Sequence, residues 1–369
     1  MENDSFRAMN TTIATQGLPV RWRAQARSWF AFAEAQLSRF LPDSELSKLN
    51  RAAGGPFLAT PLLYQVLAEA DRYHRETVGL FSPYLGRVME RLGYGESFER
   101  LSPAEGNDGS SCCADGAAAE GIAHGGRIAG RIELGGKVPA ADARGDGLAG
   151  ADARGGGLAD RNTRNGGLAN ASECFSAAEL DPGSRAIRLR ADVAVDLGGI
   201  AKGWTARHLA KLARQDGVRT GAVGAGGDLI LWGCPPEGWR IGVADPWRPE
   251  RDATSLTPRR GAGIATSSAV KRRWQDRGGS VRHHLVDPRT GDSARTDLAQ
   301  ATVIAPDAVM AEVYAKCALL LGADEGPAWL ERTNPRCAMI GVRYDGSLVY
   351  GGDLQTYGIE ERASDERIG

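Results

Sequence analysis

The chain has 369 residues, enough to bury a large core and to hold two or three domains or one domain with an insertion. Its 45 lysines and arginines against 46 aspartates and glutamates leave a formal net charge of −1, so composition gives no general reason to expect nucleic acid or an anionic membrane as partner. No stretch approaches the ~20 apolar residues of a membrane span, and "MENDSFRAMNTTIATQGLPV" has neither a basic region followed by an apolar run nor a lipid-attachment cysteine, which reads as a cytoplasmic protein.

In chain order, "VRWRAQARSWFAFAEAQLSRF" places Trp22, Ala26, Trp29, Ala33 and Leu37 at helical spacing. "LPDSELSKLNRAAGG" reads as a polar loop or short turn. Thr60 then caps a helix with Pro61 at its first position, and Leu63, Leu67, Ala70 and His74 share one face. From about Leu101 to Ser172 the aromatic residues vanish, and a ten-residue repeat runs through "ADARGDGLAG", "ADARGGGLAD" and "RNTRNGGLAN". One leucine per ten residues cannot offset the entropy of ordering, so 102–172 is expected to be a flexible insert. A calcium-binding glycine–aspartate repeat would need a nonapeptide period and paired aspartates, which are absent. The expected division is 1–101 and 173–354 as two parts of one folded unit around the insert, with 355–369 as a tail.

After the insert, residues 193–197 read as a short apolar strand, followed by a helix. "GAVGAGGDLILWG", "WRIGVADP", "GAGIATSS", "VRHHLVDP" and "QATVIAP" read as strands. "DAVMAEVYAKCALLLG" reads as a helix introduced by Pro306, and "AMIGVRYDGSLVYGG" as a hairpin turning at Asp345-Gly346. Neither strictly alternating βα units nor pure sheet fits, so the expected class is α+β. Of the six cysteines, Cys112 and Cys113 are adjacent and Cys174, Cys234, Cys317 and Cys337 are scattered; with no C-x-x-C pair, neither a zinc site nor a disulfide framework is suggested.

The chemistry concentrates in "VDLGGIAKGW". Asp196 ends the apolar stretch, Gly198 and Gly199 permit a sharp turn and close approach of a ligand, and Lys202 lies in the first turn of a helix whose free N–H groups favour an anion. The P-loop pattern is not met, and a strand–helix corner with a solvated lysine is the plainer reading on spacing alone. "GAVGAGGDL" is no dinucleotide fingerprint: Leu229 stands where the third glycine belongs, and a strand follows where a helix is required. A tight glycine bend fits better, with Asp228 as its cap. In "VRHHLVDPRTG", His283 and His284 must face opposite sides of a strand.

Taken in order, "VDLGGIAKGW", "GAGGDL", "IATSS", "HHLVDPRTG" and "AEVYAKCALLLG" resemble the FAD:protein FMN transferase family, the ApbE-type flavin transferases. "AMNTT", "RFLPDSELSKLN" and "TVGLFSPYLG" are similar to that family's opening strand, its Ser-Glu-Leu-Ser loop and its Gly-x-Phe-Asp-Pro segment. The resemblance implies mixed sheets packed with helices in an ApbE-like (T-fold-like) architecture. It also implies an enzyme that splits FAD at the pyrophosphate, passes FMN to a Ser or Thr hydroxyl of an acceptor protein and releases AMP. An FAD pyrophosphatase giving FMN and AMP, and a flavin-binding protein without turnover, are its rivals. Carried over by residue, Met9, Phe40 (in a tyrosine position), Asp196, Lys202, Thr266 and Ser267 would hold FAD, and His284 with Asp287 would border the reacting pyrophosphate. A backbone carbonyl in the Gly199–Ala201 turn would face Mg²⁺. The family's Asp and Thr metal ligands on the late helix correspond to Glu312 and Lys316. An ammonium cannot ligate a cation, so the expectation is that Lys316, paired with Glu312, neutralises pyrophosphate charge in place of a metal; an ordinary surface ion pair and a retained metal are the alternatives.

Overall fold

The structure, a computed structural model, describes residues 3–96, 132–133, 176–276 and 278–361. Eight strands form its main sheet: β1 Asn3–Ala8, β2 Thr11–Gln16, β3 Gly221–Ala225, β4 Asp228–Trp232, β5 Ala262–Ser268, β6 Leu298–Ala305, β7 Ala338–Arg343 and β8 Leu348–Gly352. Their order across the sheet is their order along the chain, and every pairing is antiparallel. Two-residue turns join the tightest hairpins. Met9 and Asn10 (φ 51° and 55°) turn β1 into β2, and Gly226 and Gly227 (φ 65° and 108°) turn β3 into β4, as left-handed hairpin turns require. "AMNTT" is therefore a hairpin tip rather than one strand.

Alternation sorts the sheet's side chains onto two faces. Leu229, Leu231, Ala262, Ile264, Ala338 and Ile340 pack with Trp239, Ile241, Val243, Leu256, Tyr357 and Ile359 on one face. Tyr357 and Ile359, in the stretch assigned from sequence to a tail, thus belong to the core; Tyr357 is 1% exposed. The other face carries the helices α1 Val20–Leu37, α2 Glu45–Arg51, α3 Pro61–Glu76, α5 Ala201–Gln215 and α6 Ala308–Thr333, while α4 Gly86–Arg91 packs Met89 with Tyr94, Trp274 and Val286. A Cβ on Gly263 would lie 2.4 Å from the Ala308 backbone, so this glycine lets α6 sit directly on β5. Gly322 (φ 81°) kinks α6 where a helix end was expected, and the helix resumes beyond it.

Three local expectations change. "LPDSELSKLNRAAGG" contains α2, because the Ser44 hydroxyl accepts from Ser47 N and Leu46 and Leu49 are buried beneath it. Residues 193–197 form no ladder. Asn50 instead clasps Val195 through both backbone groups, and Pro83 O accepts from Asp196 N. In α1, Phe30 takes a fully buried place, while half-buried Trp29 donates from Nε1 to Thr205 O and stacks on His208. The repeats of the 102–172 insert, together with Cys112, Cys113 and Cys174, lie outside the described residues. Within that stretch only Ile132–Glu133 is described, pairing with Ile241 and Arg240. Among the described residues no helix is long and apolar enough to cross a membrane.

Candidate functional site

A cavity of about 550 Å³ opens where α1, α5 and α6 meet the 81–85 and 284–288 segments. Met9, Phe40, Asp196 and Gly199 line it, as do Ala201, Lys202, His284 and Lys316. Residues far apart in sequence are therefore brought to one wall, and the volume lies in the range of small-molecule sites.

The N-terminus of α5 is the centre of the arrangement. Gly198 and Gly199 do not adopt the left-handed conformation; what they supply is proximity. A Cβ on Gly199 would lie 3.1 Å from Lys316 Cε and 3.2 Å from Phe81 Cε2, and one on Gly203 would lie 2.8 Å from Glu312 Oε2. The Asp196 carboxylate accepts from Gly198 N at 2.7 Å and from Arg39 Nε at 2.9 Å. Arg39 stacks over the Phe40 and Tyr94 rings, 4.2 and 4.8 Å from their centroids, and its Nη2 is buried with no partner among the described residues. The aspartate expected to grip a ligand directly is thus the anchor of an arginine that faces the cavity.

Lys202 is not the solvated lysine that spacing suggested, nor a free phosphate ligand. Its Nζ lies 2.6 Å from both Asp228 and Glu312, which are 7% and 1% exposed in their side chains. Burial works against its charge, but the two carboxylates raise its pKa above the ordinary lysine value. Burial pushes Asp228 up, and Asp228 serves Lys202 rather than capping its own hairpin. Burial also acts against the charged form of Glu312, and Lys202 with Lys316 more than compensates, holding it below the usual range. Lys316 donates from Nζ to Glu312 O at 3.1 Å and stands 3.5 Å from Glu312 Oε1. With Glu312 1% exposed, this is no surface ion pair.

"VRHHLVDP" is two short strands, Val281–His283 and Val286–Asp287, with His284 between them. His283 turns to Ala294 O through Nε2, while His284 faces the cavity with its Nδ1 buried and unpartnered among the described residues. Burial, reinforced by Arg272, His283, Lys316 and Lys202, lowers the His284 pKa well below the ordinary histidine value, so the ring is neutral at neutral pH.

Other expected residues stand away from the cavity lining. Thr266 shares the sheet face of Ala262 and Ile264, opposite the helices, and bonds Thr302 Oγ1 at 2.9 Å. Ser267 points to the helix side but is buried at 5% exposure outside the lining. Asp287 is clasped by Arg289, with bonds of 2.9 and 2.8 Å to its two oxygens. Burial acts against its charge, yet this arginine keeps its pKa below the usual carboxylate value. It shapes the turn after His284 instead of bordering the cavity.

The set Gly199, Ala201 and Glu312 fits Mg²⁺ poorly. Glu312 Oε1 is held by Lys202, its Oε2 accepts from Gly203 N at 2.9 Å, and the Ala201 carbonyl accepts from Thr205 Oγ1 at 2.7 Å. Two ammonium groups beside that carboxylate oppose a divalent ion, and among the described residues no three His, Cys, Asp or Glu side chains converge to hold one. Arg39, Tyr94 and Arg272 also line the cavity and were not singled out from sequence. The "RF" before "LPDSELS" could have pointed to Arg39; nothing local marks Tyr94 or Arg272.

A sequence model of the ApbE family matches residues 9–113 and 160–340. The FAD:protein FMN transferase of Escherichia coli K12 is 32% identical over 151 residues, which cover 40% of this chain and 43% of that protein. A Klebsiella pneumoniae protein of the same name is 33% identical over 136 residues, covering 36% and 39%. The aligned stretches thus span less than half the length of these relatives. Among solved structures, the ApbE protein of Thermotoga maritima superposes with a TM-score of 0.70 at 19% identity, covering 97% of this chain and 99% of that one. The flavin transferase ApbE of Vibrio cholerae superposes with a TM-score of 0.64 at 17% identity, covering 96% and 99%.

Proposed function

The chain belongs to the ApbE family, and on that premise we propose that it is an FAD:protein FMN transferase, cleaving the FAD pyrophosphate and joining FMN to a Ser or Thr hydroxyl of an acceptor protein with release of AMP. The observation that carries this reading is the cavity wall itself. Aromatic and apolar groups (Met9, Phe40, Tyr94) lie on the same cavity as a helix N-terminus, the cations Arg39, Arg272 and Lys316, and a neutral imidazole. A flavin nucleotide asks for that combination: flat apolar surface for its rings and positive charge for its diphosphate.

The chemistry follows from what these groups do. The acceptor oxygen attacks the FMN phosphorus, its proton must leave, and the bond to the AMP phosphate oxygen breaks with charge growing on that oxygen. Neutral His284, which lines the cavity, is the candidate to take the hydroxyl proton. Lys316 and Arg272 stabilise the charge on the departing phosphate. Asp196 keeps Arg39 aimed inward, and the Lys202–Asp228–Glu312 cluster fixes the distance between α5 and α6. The acceptor itself is defined by its hydroxyl alone.

Mass spectrometry of the protein mixed with FAD and a Ser/Thr-bearing acceptor tests the reading. Covalent FMN on the acceptor and stoichiometric AMP are expected. Free FMN and AMP without labelling would point to the pyrophosphatase, and unchanged FAD to a binding protein.

A further inference from the structure

Resting on the reading of the cavity as an FAD site, we propose that the diphosphate is held without a divalent cation, and that the Lys316 ammonium is the built-in charge it meets. Three features of the wall lead there. First, the carboxylate that a cation would need is occupied on both oxygens, by Lys202 at 2.6 Å and by Gly203 N at 2.9 Å. An ion placed on Glu312 would also stand beside two ammonium groups.

Second, Lys316 is the least committed cation of the cluster. Lys202 touches two carboxylates at 2.6 Å, whereas Lys316 meets the Glu312 carbonyl at 3.1 Å and the carboxylate only at 3.5 Å. A lysine ammonium carries three donors, so at least one remains for the cavity that its side chain lines. Third, the backbone is shaped around this side chain. A Cβ on Gly199 would lie 3.1 Å from its Cε, so the glycine leaves the room in which the side chain passes beside the Gly198–Gly199 turn. The Arg39 side chain, 7% exposed with Nη2 unpaired among the described residues, independently marks the same cavity as a site for an anion.

The experiment titrates FAD into the purified full chain by calorimetry, once with Mg²⁺ and once with EDTA. Equal affinity in the two buffers, within about twofold, is the expected result. Lys316→Met should lose roughly 10- to 100-fold in affinity in EDTA, the usual weight of a charge-assisted hydrogen bond, and Lys316→Arg should keep EDTA-resistant binding. Binding by the natural chain that EDTA abolishes and Mg²⁺ restores would overturn this proposal while leaving the flavin site standing. No binding in either buffer would overturn the flavin reading and this proposal with it.

Discussion

Replacing Lys202 by methionine isolates the electrostatic cluster between α5 and α6. The methionine keeps the length of the side chain but leaves Asp228 and Glu312, 7% and 1% exposed, with only the more distant Lys316 between them. Breaking a buried ion pair by removing one partner costs about 3–5 kcal/mol, because an uncompensated charge stays behind. At roughly 2–4 °C per kcal/mol for a domain of this size, the melting temperature should fall by about 6–20 °C. The pH dependence has a definite sign. Without the lysine, the carboxylates titrate above their unfolded values, so the folded variant gains relative stability as they are protonated, and the deficit should shrink between about pH 8 and pH 5. Adding Asp228→Asn to the variant should recover part of the loss at pH 8. Scanning fluorimetry of the natural chain and both variants at the two pH values reads all of this. A Lys202→Met protein that melts within about 2 °C of the natural one, or whose deficit widens on acidification, would refute the cluster's structural role.

Further outcomes are expected. His284→Asn should keep FAD binding while transfer falls by roughly 10²–10⁴-fold, the usual weight of a general base. Because the His284 pKa is lowered in the fold, the proposed transfer should hold its rate as pH drops through the ordinary histidine range. The stability cost of keeping that ring neutral should appear only below the unfolded pKa; a rate that halves near pH 6.5 would contradict the assignment. Gly226→Ala places a Cβ 2.3 Å from Thr11 Oγ1 at a residue of φ 65°, and should cost about 1–3 kcal/mol in urea unfolding, an idea undone by a change below about 0.5 kcal/mol.

Much of the fold was legible because its signals are local. Pro61 after Thr60, the paired glycines at 226–227 and the Asp345-Gly346 turn each name their element. The strands that alternate or run apolar, from Gly221 onward, do the same. What could not be read locally depends on partners distant in the chain. The 193–197 segment has a strand's composition, but its backbone is satisfied by Asn50 and Pro83, so it never enters a sheet. Spacing alone could not show that Lys202 faces Asp228 and Glu312, 26 and 110 residues away, instead of solvent. Thr266 and Ser267 sit beside each other in a motif, yet the pleat sends one to each face of the sheet. At the site, resemblance brought forward His284, Lys316 and Phe40, while Arg39 and Arg272 emerged only from the cavity wall.

The seam between β2 and β3 joins Ile13–Gln16 to Ala222–Ala225 across roughly 200 residues of chain. At translation rates of about 5–20 residues per second, the first hairpin leaves the ribosome roughly 10–40 seconds before the strand it must dock against has been made. During that interval one edge of the hairpin offers bare amides and carbonyls to any neighbour. The β1–β2 ribbon therefore has to be shielded until β3 has been made, and that interval is a window for edge-to-edge aggregation.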